Sequence, residues 1–333
     1  MRTVQKEILN IYKEIKRICE KNHIPYYAIG GTALGAIRHK GFIPWDDDMD
    51  LGIPIDFYDK FKKACKKDLK PTYQFTELHF MGGKVHNINT SFIEAQCMTD
   101  KNSYYGIFVD IFPIVGTPNE KTSLLSFLEE VKKYFEKAFI YDRYPDSSQL
   151  SKKEIEAWRE KLLFQNPLKN SRRAIEFSAG NWFTKNSDGM KSPIIIQFED
   201  TTIPIPSTYD EDLTNQYGDY MKLPPKEQRY THDTYSLIDL NCPYQKYYDQ
   251  LFSINPKLIQ LIKLKHKHEG IFYNDLLKTS RDYADLHREY QNLLKLNTEL
   301  SSELQQKNNT IRFKLLKKLY SIKARLFSKP DHH

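Results

Sequence analysis

The sequence predicts an α+β fold, a mixed set of strands and helices in one large domain, followed by a long C-terminal helix. Three observations predict it. Val4, Ile8, Ile11, Ile15 and Ile18 recur at spacings of four and three, the mark of an amphipathic helix packed on a core. Short apolar runs bounded by Gly or Pro, such as YYAIGG and GIFVDIFPI, have the length and stops of strands. From Phe272 onward the pattern changes to apolar residues at seven-residue intervals with no Gly or Pro before Lys329.

In chain order, the opening helix ends around Lys21 and Asn22, before Pro25. YYAIGG is the first strand, Thr32 to Arg38 a short helix, and Gly41 and Pro44 break the chain. Asp48 to Ile53 alternates acidic and apolar residues, as a strand does with one face on a core and one on a site. Residues 56–69 form an amphipathic helix with a basic outer face. YQFTEL, KVHNINTSFIEAQC and GIFVDIFPI are further strands, and helices are expected over 120–140 and 151–176. PIIIQFEDTTIPIP reads as a hairpin, and a short helix and the loop LPPKEQRYTHDT close the globular part near residue 250.

With 333 residues, 40% of them apolar and 28% charged, the chain is neither disordered nor collagen-like and needs no staples for stability. Nowhere do 18 apolar residues run together, and the charged, amphipathic opening MRTVQKEILN is not that of a signal peptide. The four cysteines lie far apart with no CxxC pair, so free thiols are expected rather than a zinc cluster.

The most informative stretch is IGGTALGAIRHKGFIPWDDDMDLGI, residues 29–53. Asp46, Asp47, Asp48 and Asp50 crowd five positions, a repulsion that a cation would relieve. On a strand, Asp48 and Asp50 point to one face, so both carboxylates can meet one ion. Oxygen-only ligands favour a hard metal such as Mg²⁺ (with Mn²⁺ as a substitute), which shares its shell with phosphate oxygens. Gly30, Gly31 and Thr32 sit between a strand and a helix, where bare backbone and free N–H groups can approach phosphate. Arg38, with His39 and Lys40, adds positive charge between the two motifs. Asp110, an acid inside the apolar strand IFVDIF, needs a partner there.

The run GGTALGAIRHKGFIPWDDDMDLGIP resembles the signature of the LicD family, whose members include phosphocholine and ribitol-phosphate transferases. YGIFVDIFPI resembles that family's second block and YDEDLTNQYGDYMKLPP its C-terminal block, so the resemblance spans roughly residues 1–245. It implies a nucleotidyltransferase-like mixed sheet flanked by helices. By the same resemblance, Asp48, Asp50 and Asp110 form a metal-binding set, and Asp46 is a second-shell group or general base. Asp47 is less certain, because relatives vary there. Gly30, Gly31, Thr32, Arg38, Lys84 and His232 become donor-binding residues. The implied reaction is transfer of an alcohol phosphate (phosphocholine, ribitol phosphate or glycerol phosphate) from a CDP-activated donor to a sugar hydroxyl, releasing CMP. The implied acceptor is a lipid-linked or polymeric bacterial surface glycan: capsule, teichoic acid or lipopolysaccharide. Composition does not choose among the alcohols, because aromatic and hydrogen-bonding side chains are both abundant.

The resulting division is a catalytic domain over 1–255, a helical or coiled-coil segment over 256–309 and a basic amphipathic tail over 310–333. The heptads over 276–311, with Asn297 at a core position, suit a homodimer. The chain carries a net +7, of which residues 310–333 hold +6 and residues 1–309 only +1. That concentration, on an apolar stripe from Ile311 to Phe327, suits an anionic membrane surface touched by residues 310–329 and makes nucleic acid a poor fit. The expected location is the cytoplasmic face of the cell membrane. Two rival readings remain: a DxD-type metal-dependent glycosyltransferase, and a coiled-coil membrane scaffold with an inactive transferase domain.

Overall fold

The computed structural model describes residues 2–94, 105–143, 148–178, 185–226, 229 and 235–246. The expected heptad segment, the basic tail and His232 lie outside the described residues. Within them the fold is α+β, as the sequence predicts. Helix α1 (Arg2–Lys21) is followed by β1 (Tyr27–Ala28), α2 (Gly30–His39), β2 (Asp50–Pro54) and α3 (Ile55–Asp68). Strands β3 (Tyr73–Glu77), β4 (Gly83–Asn87), β5 (Ser91–Glu94) and β6 (Phe108–Gly116) come next. Then follow α4 (Lys121–Arg143), α5 (Lys152–Phe164), β7 (Arg173–Glu176) and β8 (Lys185–Asn186). The hairpin strands β9 (Ile194–Phe198) and β10 (Thr201–Ile205), α6 (Tyr209–Tyr217) and β11 (Tyr235–Asp239) complete the set.

Seven strands make one mixed sheet in the order β1-β2-β6-β4-β3, with β7 pairing β6 and β8 pairing β7. Only β2 and β6 run parallel within it; the other described pairs are antiparallel. Strand β6 is long enough to hold β4 along its first half (Phe108–Ile111) and β7 along its second (Ile114–Gly116) on one side, with β2 on the other.

Register divides the sheet into two chemically different faces. Leu51, Ile53, Val85, Val109 and Ile111 point to one face, where they join Ile8, Ile11, Ile15 and Ile18 of α1 and Phe61 of α3 in the main core. All five of those strand side chains and the four α1 isoleucines are essentially inaccessible to solvent. Full burial of each such aliphatic group stabilises the fold by roughly 1.5–3 kcal/mol. The other face carries Asp50, Asp110 and Lys84, side by side across three strands.

The expected hairpin over 193–206 forms as β9 paired with β10, Ile194 opposite Ile205. The helix expected over 151–176 is shorter. It starts on a capping box, Ser151 Oγ accepting the Glu154 N–H, and stops at Phe164. Pro167 has no N–H to continue it, so a single 3₁₀ turn at Leu168–Asn170 leads into β7 instead. Among the described residues no helix is long and apolar enough to cross a membrane. Cys19, Cys65 and Cys242 are free thiols, as the spacing predicts, and Cys97 lies outside the described residues.

Candidate active site

The site grows from the junction of β1, α2 and β2. Helix α2 opens on Gly30 itself, so the two glycines and Thr32 are its first turn, and the N–H groups there have no intrahelical acceptor. Gly30 adopts φ +52, a left-handed conformation open to glycine at little cost. A Cβ on Gly30 would lie 3.5 Å from Asp50 Oδ2, and one on Gly31 would lie 3.1 Å from Asp46 Oδ2. The glycine turn therefore rests directly against two carboxylates of the acidic motif.

Thr32 has a structural task. Its Oγ1 accepts the Asp50 N–H at 2.8 Å, tying the start of β2 to the start of α2. The Ile29 N–H donates to the Asp50 carbonyl at 3.3 Å, and the Asp110 N–H donates to the Met49 carbonyl at 2.8 Å. From α1, the buried Gln5 amide donates to the carbonyls of Ile43 (3.0 Å) and Asp46 (2.7 Å), fixing the turn that delivers the aspartates.

Asp50 and Asp110 are register partners on the parallel pair, and Lys84 on β4 is the antiparallel partner of Asp110. Lys84 Nζ lies 3.2 Å from Asp110 Oδ1 and 3.3 Å from the centre of the Phe108 ring. An ammonium buried to this degree persists because a carboxylate and an aromatic face replace its water. Asp46, Asp47 and Asp110 are buried, while Asp48 and Asp50 are half-buried, so the cluster opens to solvent along one side. Among the described residues no group of three or more His, Cys, Asp or Glu side chains is already arranged to hold a metal ion. What the backbone fixes is Asp50 beside Asp110, two carboxylates whose oxygens could serve a hard divalent cation.

Three contributors escaped the sequence reading: Tyr217, Glu176 and Lys185. Burial and the charges of Asp50, Glu176, Asp46 and Asp48 push the Tyr217 hydroxyl well above the usual phenol range. Glu176 on β7 is the partner of Ile114 in register, and so shares the face of Asp110. Lys185, itself buried, pairs with Glu176 at 2.9 Å. Tyr217 lies inside the YDEDLTNQYGDYMKLPP block, but nothing in its local spacing separates it from the other tyrosines there.

Arg38 sits at the other end of α2. Its Nη1 donates to the Tyr220 carbonyl at 2.7 Å, fastening the segment after α6 to this helix. Burial, countered in part by Tyr217 and reinforced by Arg229, holds its pKa below the usual guanidinium value. Nearby, the Trp45 ring carries the Arg229 guanidinium 5.4 Å over its centre and meets the edge of His39 at 6.0 Å. A basic, aromatic rim thus adjoins the acidic floor.

Residues 23–146, which hold the glycine turn and all the carboxylates of the acidic motif together with Asp110 and Lys84, match the family described as LicD/FKTN/FKRP, nucleotidyltransferase domain. That segment, rather than the whole chain, is similar to a LicD-family domain. The chain is 28% identical over 257 residues to the lipopolysaccharide cholinephosphotransferase LicD of Haemophilus influenzae, covering 70% of this chain and 95% of that protein. Shorter matches join it to uncharacterized proteins of Rickettsia typhi (46% over 55 residues, 16% of this chain and 18% of that protein) and Rickettsia prowazekii (47% over 51 residues, 14% and 19%). The LicD match to the Haemophilus protein is longer than the family segment. It is long enough to take in elements beyond residue 146, such as β7 or α6, which flank the acidic face.

Proposed function

We propose that the protein transfers an alcohol phosphate from a CDP-activated donor to a sugar hydroxyl of a bacterial surface glycan, with release of CMP. The observation that carries this reading is the register of Asp50 with Asp110 beneath the glycine-started helix α2, because it places carboxylates and free N–H groups at one point. The likeness to a lipopolysaccharide cholinephosphotransferase supports it and makes phosphocholine the first alcohol phosphate to test.

In this reading the acceptor oxygen bonds to the phosphorus that carries the alcohol, the bond from that phosphorus to the CMP oxygen breaks, and the acceptor proton passes to Asp46. Asp46 suits the part because its carboxylate lies against Gly31, next to the N–H groups that face the donor phosphates. Asp48, Asp50 and Asp110 would hold Mg²⁺, which when bound neutralises the charge on the transferred group and the leaving phosphate. Lys84, 3.2 Å from Asp110, would add positive charge under the donor. Arg38 ties the Tyr220 segment to the far end of α2, and His232 remains a proposed donor-phosphate residue.

Peripheral attachment at the cytoplasmic membrane face through residues 310–329, and dimerisation through 276–311, are proposed with this function. Both suit an acceptor carried on lipid.

A thermal-shift series with CDP-choline, CDP-ribitol and CDP-glycerol, each with and without Mg²⁺, tests the donor class. Product analysis then decides the chemistry. CMP and a phosphodiester are expected; a nucleoside diphosphate and a glycoside would establish the glycosyltransferase instead. Binding of none of the three donors would favour the inactive scaffold.

A further inference from the structure

The sequence holds 22 Tyr, 19 Phe and 3 Trp, too many for composition to nominate a recognition residue. Burial reduces that number sharply. Among the described residues, the aromatic side chains that are exposed are Phe164 and Tyr217, at 51% and 40%. Phe164 ends α5 and lines a groove of about 450 Å³ with Tyr58, Lys62 and Arg159, away from the acidic motif. Tyr217 ends α6, and its hydroxyl lies 3.8 Å from the point where a Cβ on Gly30 would stand, a point 3.5 Å from Asp50 Oδ2. The phenol end is therefore at the acidic floor, while 40% of the residue's surface stays open to solvent.

We propose that Tyr217 is the specificity residue for the transferred alcohol, its ring face receiving a quaternary ammonium head while its hydroxyl stays anchored beside Asp50. This rests on the reading that a CDP-activated alcohol phosphate is the donor.

Three observations and one general principle bear on a cation. A quaternary ammonium cannot donate a conventional hydrogen bond and is recognised by aromatic faces in a negative field. Asp46, Asp48, Asp50 and Glu176 supply that field at this hydroxyl. Tyr217 is the last residue of α6, so the partial negative charge of the helix C-terminus falls beside its ring. Gly218, at φ +66, then turns the backbone away, and a Cβ there would meet nothing within 4 Å, which leaves the approach open. Trp45 is less suited, because its ring already carries the Arg229 guanidinium 5.4 Å over one face. Tyr220 is half-buried at its place after α6, and the buried Tyr27 donates to the Met190 carbonyl at 2.6 Å. A polyol head would need hydrogen-bonding groups facing it, whereas the one polar atom of Tyr217 is turned inward.

The test is calorimetric binding of CDP-choline and CDP-glycerol to the full chain and to Tyr217→Phe and Tyr217→Leu, with Mg²⁺ present. The wild type should prefer CDP-choline. Tyr217→Phe should keep that preference within about threefold, and Tyr217→Leu should lose about tenfold in CDP-choline affinity, the span of a partly desolvated cation–π contact. CDP-glycerol affinity should change less than about twofold, which also controls for misfolding. Equal losses for both donors in Tyr217→Leu, or no loss, would overturn the inference. A wild type that prefers CDP-glycerol would overturn it while leaving the CDP-alcohol reading intact. Binding of neither donor would remove both.

Discussion

Asp50 and Asp110 face each other in register across the only parallel strand pair described in the seven-stranded sheet, although 60 positions separate them in the chain. Their replacement should have unequal consequences. Asp50→Asn removes a half-buried charge beside the glycine turn and should cut CMP release by about 100-fold or more with little change in melting temperature. Asp110→Asn should be equally inactive, but it strands the buried Lys84 ammonium and should cost about 3 kcal/mol in stability. Urea titrations beside a CMP-release assay separate the two. Full activity in Asp50→Asn would end the proposed mechanism.

Lys84→Met probes the same pair from the other side. Without its ammonium, Asp110 loses a cationic partner on a face that already holds Asp50. The variant should melt lower than wild type in chelator and recover more than wild type on adding Mg²⁺. An identical Mg²⁺ response in the two proteins would argue against a cation bound by these carboxylates.

The glycine turn predicts a graded series. Alanine at Gly31 places a Cβ 3.1 Å from Asp46 Oδ2, so that carboxylate must shift by a few tenths of an ångström. Alanine at Gly30 must also adopt φ +52, a strain of about 1 kcal/mol. Gly31→Ala should therefore lose activity with near-normal stability, and Gly30→Ala should lose both. Kinetics and thermal melts on the two variants check the order.

Acid stability should reveal a carboxylate remote from the site. Glu14 on α1 is buried. The Arg17 side chain opposes the cost of that burial at 2.7 and 2.9 Å, and the Lys70 N–H adds a bond at 3.0 Å, so its pKa falls from 4.5 to about 2. A lowered carboxylate pKa contributes stability that is complete above about pH 4.5 and is lost as pH falls toward 2. Linkage puts that contribution on the order of 3 kcal/mol. Glu14→Gln should lower stability at pH 7 and flatten its fall between pH 4.5 and 2, as read from urea midpoints across that range. An unchanged slope would remove Glu14 as the source.

The legible part of the site was the part encoded locally. The glycines, Asp50 and the buried Asp110 carry their meaning in spacing and in a charge set among apolar neighbours, whereas Asp48, expected on the same strand, precedes β2, which begins at Asp50. Glu176, Lys185 and Tyr217 become visible only when β7, β8 and α6 fold onto the face opposite the core, a placement no local period encodes. Thr32 and Arg38 show a second limit. Both were expected to reach for phosphate, and the structure shows each making a backbone link, to the Asp50 N–H and the Tyr220 carbonyl. The early stop of α5 was readable, because Pro167 stood inside the expected helix.

The long strand β6 also decides where this protein can be cut. A fragment limited to residues 23–146 would keep the acidic motif but lose α1, whose four isoleucines close the underside of the sheet. It would also leave the Ile114–Gly116 stretch of β6 with its backbone unpaired on one side, where Ala174, Ile175 and Glu176 should be. Such a piece presents a bare apolar surface and a raw strand edge together, the combination that drives aggregation. The homology segment is thus not a folding unit, and the smallest soluble version of this fold should begin before Val4 and run past α6.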